Sequence, residues 1–163
     1  MRLAVASDHA AIELRQAVVS HLRAHGHTVE ERGPDAGTSA DYPDLAGAVG
    51  CEVASGEVDR GVLICGTGIG MSIAANKVPG IRAALVHDLT TAALAAEHND
   101  ANVLCLGGRL LAAPLALACV DMWLHTPFEA RHQRRLDGIS AIERQVQRGL
   151  DPEGSPEPSS HPA

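Results

Sequence analysis

The sequence has no Cys-x-x-Cys pair and no closely spaced set of cysteines and histidines; Cys51, Cys65, Cys105 and Cys119 stand far apart. Structural zinc sites and disulfide frameworks are written in close spacings. Four reduced thiols and no metal are therefore expected. Long basic runs are also missing: 13 lysines and arginines, all arginine except Lys77, are scattered through a chain of net charge -7. Nucleic acid is not expected as a partner, although arginine pairs can still hold a small anion. The start, Arg2-Leu-Ala-Val-Ala6, lacks a signal-peptide pattern, and no uninterrupted apolar stretch reaches the roughly 18 residues of a membrane span. The expectation is a cytoplasmic protein with no membrane association.

What is present is a regular alternation. With 163 residues, 45% of them hydrophobic, the chain can bury one sizeable core. Strands are predicted at 2–6, 28–31, 61–65, 81–86 and 102–106. Helices are predicted at 11–25, near 44–55, from Met71 to Lys77, at 89–98, at 112–124 and near 129–148. This rhythm predicts a single three-layer α/β/α Rossmann-like domain, residues 1–149, around a five-stranded parallel sheet. Residues 150–163, rich in proline and serine, are expected to form a disordered tail. His21, His25 and His27 fall on or just after a surface helix and are expected to be solvated.

One stretch concentrates chemistry. Gly61-Val-Leu-Ile-Cys-Gly-Thr-Gly-Ile-Gly70 joins an apolar, β-branched strand to a loop with glycine at 66, 68 and 70. The loop's N–H groups and those of the following helix can cradle a phosphate or a developing oxyanion beside Cys65. A tight strand-to-helix turn around a buried structural cysteine is the other reading.

In open α/β sheets ligands bind beyond the carboxyl ends of the strands. There the chain carries Ser7-Asp8-His9 after strand one, Cys65-Gly66-Thr67 after strand three and Gly107-Gly108-Arg109 after strand five. If strands one and three are neighbours, as in the flavodoxin-like order, Asp8 and His9 face Cys65. His98 and Asn99 precede strand five, near the opposite end of the sheet, and reach such a pocket only from a second subunit. Each residue also has an ordinary explanation: Asp8 as a helix N-cap, His9 and His98 as loop residues, Tyr42 before Pro43 as a surface plug, Arg131 and Arg135 as a solvated helix face.

Taken together these blocks resemble the ribose-5-phosphate isomerase B family, which also contains allose-6-phosphate and galactose-6-phosphate isomerases. The resemblance runs through Ser7-Asp8-His9, Asp41-Tyr42-Pro43, Gly56-Glu57-Val58-Asp59, Cys65-Gly66-Thr67-Gly68-Ile69-Gly70, Ala74-Ala75-Asn76-Lys77, Glu97-His98-Asn99-Asp100, Gly107-Gly108-Arg109 and Arg131-His132-Gln133-Arg134-Arg135, leaving out only the tail. It implies aldose–ketose isomerisation of a sugar phosphate, most closely ribose 5-phosphate and ribulose 5-phosphate, without metal or organic cofactor. By resemblance Cys65 is the base at C2, Thr67 assists the oxygen-bound proton, His98 opens the sugar ring and Asp8 orients or accepts protons. Asp8, His9, Tyr42, Gly66, Thr67, Gly68, Ile69, Gly70, Asn99, Arg109, Arg131 and Arg135 would contact substrate, with Arg134 an alternative phosphate clamp. The same resemblance implies a homodimer, or a tetramer, with shared sites. Some relatives replace the cysteine by a glutamate just beyond the glycine loop; here Cys65 is present and Met71 stands at that place. Ala10 and Ala11 follow the Asp-His pair where relatives often carry glycine nearby.

Other classes fit less well. A nicotinamide site would put its glycines after the first strand, and Met71 takes the place of the third glycine. No Gly-Lys-Ser/Thr follows to make a P-loop. A hexose 6-phosphate isomerase and a non-catalytic sugar-phosphate-binding protein stay open, the second disfavoured by having both Cys65 and His98. The tail is expected to be dispensable: a chain ending at residue 150 should turn over substrate at the full-length rate, and a clear loss would assign the tail a role.

Overall fold

The computed structural model describes residues 1–150, in two compact units: 1–130 and the segment from Arg131 onward. The tail expected from 150 to 163 lies, beyond Leu150, outside the described residues. In the first unit β1 (Arg2–Ser7), α1 (Ile12–Ala24), β2 (Thr28–Arg32), α2 (Tyr42–Ser55), β3 (Arg60–Cys65), α3 (Ile69–Ala75), β4 (Ala83–Leu85), α4 (Leu89–Glu97), β5 (Val103–Gly107) and α5 (Ala113–His125) follow in the expected alternation. A 3-10 turn at Ala130–His132 and α6 (Gln133–Leu150) complete the described chain. No helix among the described residues is long and apolar enough to cross a membrane.

All five strands are parallel, in the order β2-β1-β3-β5-β4. β1 and β3 are neighbours as expected, but β5 inserts between β3 and β4, a departure from the flavodoxin-like order. The three central strands are buried on both faces, as parallel strands between helical layers must be. Their side chains alternate between two cores. Leu3, Val5, Val62, Ile64, Leu104 and Leu106 pack with α1, α4 and α5. Ala4, Ala6, Leu63, Cys65, Val103 and Cys105 pack with α2 and α3. Edge strand β2 carries the exposed charge of Glu30, which discourages pairing with another chain.

Boundaries differ where side chains replace backbone partners. The strand expected at 81–86 is only Ala83–Leu85 because two amide side chains occupy its flank. Asn102 accepts from the Arg82 N–H and donates to the Gly80 carbonyl, both at 2.8 Å, while Asn76 exchanges two 2.9 Å bonds with the backbone of Ala83. The second helix starts at Tyr42, two residues early, since a proline in the first turn needs no N–H donor. Likewise α3 begins at Ile69 and ends at Ala75, two residues ahead of the expected span.

Trp123 anchors the larger core. It is fully buried, its Nε1–H donates to the Ala101 carbonyl at 2.9 Å, and the Arg60 guanidinium lies 5.0 Å from its ring centre. Trp123→Phe keeps most of the ring volume but leaves the buried Ala101 carbonyl unpaired. Urea unfolding should show a loss of about 1–3 kcal/mol, the usual range for such an orphaned acceptor; an unchanged midpoint would mean the carbonyl finds another donor.

Candidate active site

Strand register brings the sequence-selected groups of β1, β3 and β5 out at one edge. Ser7 pairs with Ile64 and Cys65 with Gly107, so Asp8, Cys65 and Gly108 all emerge at the carboxyl end of the sheet. Hydrogen bonds tie the three loops together: the Asp8 N–H donates to the Ile64 carbonyl at 3.2 Å, Gly108 N–H to Cys65 O at 2.8 Å and Arg109 N–H to Gly66 O at 3.0 Å.

Cys65 is buried, and its Sγ accepts a hydrogen bond from the Gly68 N–H at 3.1 Å. That contact depends on glycine. Gly68 sits at φ +78 as the N-cap of α3, and a Cβ there would stand 2.9 Å from the Leu106 carbonyl carbon. Thr67 Oγ1 accepts from the Ile69 N–H at 3.3 Å. Burial pushes the thiols of Cys105 and Cys119 upward, with Cys65 adding to the first and Asp88 to the second. The four cysteines form no disulfide with one another, and Cys51 is exposed on α2. Cys65 differs from Cys105 and Cys119 in standing at a strand end against a glycine loop.

Two further side chains enclose that loop. The Arg109 side chain runs across Gly66, so close that a Cβ on this glycine would touch it at 3.4 Å. The Tyr42 ring lies over Gly70, where a Cβ would be 2.8 Å from two ring carbons. Tyr42 is therefore not in a loop before Pro43 but in the first turn of α2, partly exposed, its ring laid on the glycine segment. Ile69 is exposed beside it.

Asp8 is not an N-cap. The N-cap of α1 is Ala11, without a side-chain cap, while buried Asp8 folds back so that Oδ1 accepts from the Ala10 N–H at 2.9 Å. This Asx turn turns exposed His9 outward. His9, Ala11, Glu13, Gly37, Gly108 and Leu111 line a cavity of about 660 Å³ between the starts of α1 and α5. The cavity opens on the α1/α5 side of the strand ends and Cys65 packs on the α2/α3 side, an opposition fixed by the alternation along β3.

His98 and Asn99 are not brought to this edge. His98 caps the far end of α4, its Nε2 3.9 Å from Glu97 Oε1. The loop after it is fastened to the amino ends of the strands: Arg82 Nε donates to the carbonyls of Asn99 and Asp100 at 3.0 Å, and Gly61 N–H donates to Asn102 O at 3.0 Å. The length of β3, about 16 Å at 3.3 Å per residue, lies between this loop and Cys65. In the second unit Arg131 belongs to the 3-10 turn and Arg135 to α6, so the two are not successive turns of one α-helix; Arg135 Nη1 lies 2.7 Å from His132 Nδ1. Arg131, Arg134 and Arg135 are all exposed.

Two features escaped the sequence reading. His21 is not simply solvated: its Nε2 lies 2.7 Å from Asp121 Oδ1, linking α1 to α5, and its ring is 4.2 Å from that of His25. Burial, the Met1 amine, His125 and His25 push His27 down against the opposing pull of Asp121. The other is Arg15, buried at the carboxyl edge. Its signal was legible, since Leu14, Arg15, Val18, Val19 and Leu22 form the inward stripe of α1.

Known proteins match this arrangement closely. The family model described as Ribose/Galactose Isomerase matches residues 3–139. Ribose-5-phosphate isomerase B of Escherichia coli is 44% identical over 144 residues, 88% of this chain and 97% of that protein. The Clostridium thermocellum ribose-5-phosphate isomerase B structure superposes with a TM-score of 0.87 at 45% identity, covering 90% of this chain and 99% of the other. The Mycoplasma genitalium enzyme, solved with bound ribulose-5-phosphate, gives 0.84 at 41% identity over 88% and 97% of the two chains. The chain belongs to the ribose/galactose isomerase family and is a sugar-phosphate isomerase.

Proposed function

We propose that the protein interconverts ribose 5-phosphate and ribulose 5-phosphate through a cis-enediolate, with Cys65 as the base. The observation that carries this reading is the thiol held at the end of β3 under the Gly68 N–H. In the opened aldose, Cys65 thiolate takes the proton from C2, and the C1 carbonyl oxygen becomes the enediolate oxygen. The thiol returns its proton to C1 while the O2 proton passes to O1, leaving a carbonyl at C2. Of the N–H groups from Gly66 to Gly70, those not already given to Cys65 Sγ and Thr67 Oγ1 stabilise the enediolate, and losing one such donor typically raises a barrier by about 3 to 4 kcal/mol. Thr67 serves the transfer between the oxygens, and Asp8 orients it.

Sugar phosphates are largely cyclic, so a second proton carrier is required, and His98 is assigned to it. Because His98 and Asn99 sit at the amino edge of their own sheet, a homodimer in which each subunit's α4 end enters the other's site accounts for both. His9, Tyr42 and Arg109 then hold hydroxyls or phosphate, and Arg131 and Arg135, with Arg134 as alternative, clamp the dianion through charge-assisted bonds of roughly 1.5 to 3 kcal/mol each. A hexose 6-phosphate of the allose or galactose type is the second substrate reading, supported by the breadth of the matching family.

A panel of pentose and hexose phosphates should give the highest kcat/KM with the ribose 5-phosphate pair, without added metal; a hexose preference would reassign the substrate. Cys65→Ala should lower C2 proton exchange in deuterated water by about 10²–10⁴-fold or more, the range of a lost general base, while phosphate-ligand binding persists. Retained exchange would identify a different base. His98→Asn should slow cyclic substrate far more than an open-chain analogue. Mixing the Cys65→Ala and His98→Asn proteins should restore activity through hybrid dimers, and no recovery after demonstrated subunit exchange would sink the shared site.

A further inference from the structure

Arg15 is a charged side chain only 4% exposed, and it is spent on three acceptors from three places in the fold. Its Nε donates to Glu31 Oε1 at 2.9 Å on β2, Nη1 to Ser7 Oγ at 3.2 Å at the end of β1, and Nη2 to the Pro34 carbonyl at 3.0 Å. Burying a guanidinium is tolerated when each edge of its fork is paired, and only arginine offers such a fork. The segment it holds is the one that walls the His9 cavity. Pro34 is two residues before Ala36, which with Gly37 lines the same cavity as His9, and Ser7 is two residues before His9. Gly33 fits the same contact from the loop side: at φ +126 it leaves room where a Cβ would collide with Arg15 Nη1 and the Ser7 carbonyl oxygen.

We propose that Arg15 is a positioning residue for the His9 side of the proposed substrate site, fixing the 33–37 loop against the end of β1 and thereby setting where His9 stands relative to Ala36 and Gly37. It touches no reacting atom. Its kinetic consequence rests on the isomerase reading; its geometric consequence does not. A clamp of this kind serves ground-state and transition-state binding alike, so its loss falls on KM more than on kcat.

The test uses the full-length protein with Arg15→Met, Arg15→Lys and Gly33→Ala. Steady-state kinetics with ribose 5-phosphate and the His9 ring signals in NMR, assigned with His9→Gln, are the readouts. Arg15→Met should raise KM about tenfold or more with kcat within about threefold, and should shift the His9 signals. Arg15→Lys, which keeps a buried cation but loses the fork, should recover only part of both effects. Gly33→Ala should reproduce the Met phenotype by displacing the guanidinium, and it carries the test if Arg15→Met does not fold. Folded variants that lose thermal stability but keep wild-type KM and His9 signals would make Arg15 a purely structural clamp and overturn the proposal. Wild-type protein inactive on every sugar phosphate would remove the isomerase reading instead, and the His9 signals alone would then decide the role of Arg15.

Discussion

Parallel strands buried on both faces leave polar chemistry one kind of place to sit, the rim where strands end and loops begin. The register of β1, β3 and β5 therefore governs everything that follows. Because Ser7 pairs with Ile64 and Cys65 with Gly107, three loops finish level and their backbones bond to one another. Alternation along β3 then sends Ile64 into one core and Cys65 toward the other. Shifting that register by a single residue would exchange the two and turn the thiol away from the glycine loop.

Around that rim the small residues have separate tasks. Gly68 supplies a left-handed turn and an N–H aimed at sulfur. Gly70 instead admits the Tyr42 ring, while the Arg109 side chain lies in van der Waals contact over Gly66. Arg15 performs the corresponding service on the far side of β1, where a buried fork gathers β2, the end of β1 and the loop between Pro34 and Gly37. One edge of the sheet thus carries a thiol on its α2/α3 side and a His9-lined cavity on its α1/α5 side.

The opposite edge is built with equal care. Arg82 and Asn102 fasten the loop that follows His98 to the amino ends of β3 and β4, and Trp123 holds the Ala101 carbonyl beneath it. The same bonds keep His98 and Asn99 at the amino end of the sheet, a strand's length from Cys65. This is why the proposed chemistry calls for two copies of the chain.

Hydrophobic periodicity was enough to determine the order and type of the elements in the first unit, and the residues at their ends named the family. The strand-buried run 61–65, the glycines after it and the Asp8-His9 pair could be read because each carries its cause locally: alternation, backbone freedom, polar groups at an element's end. Other features are caused by partners remote in sequence. The shortening of β4 follows from the side chains of Asn76 and Asn102, and the position of Tyr42 from a glycine 28 residues later. Insertion of β5 between β3 and β4 is a property of strand order, whereas the place of His98 at the far end of the sheet from Cys65 could be read from its position before strand five. Strand order is set by how long-range segments pack, which no local pattern encodes; the sequence determined the components of the site, and the tertiary structure alone decided which of them one subunit brings together.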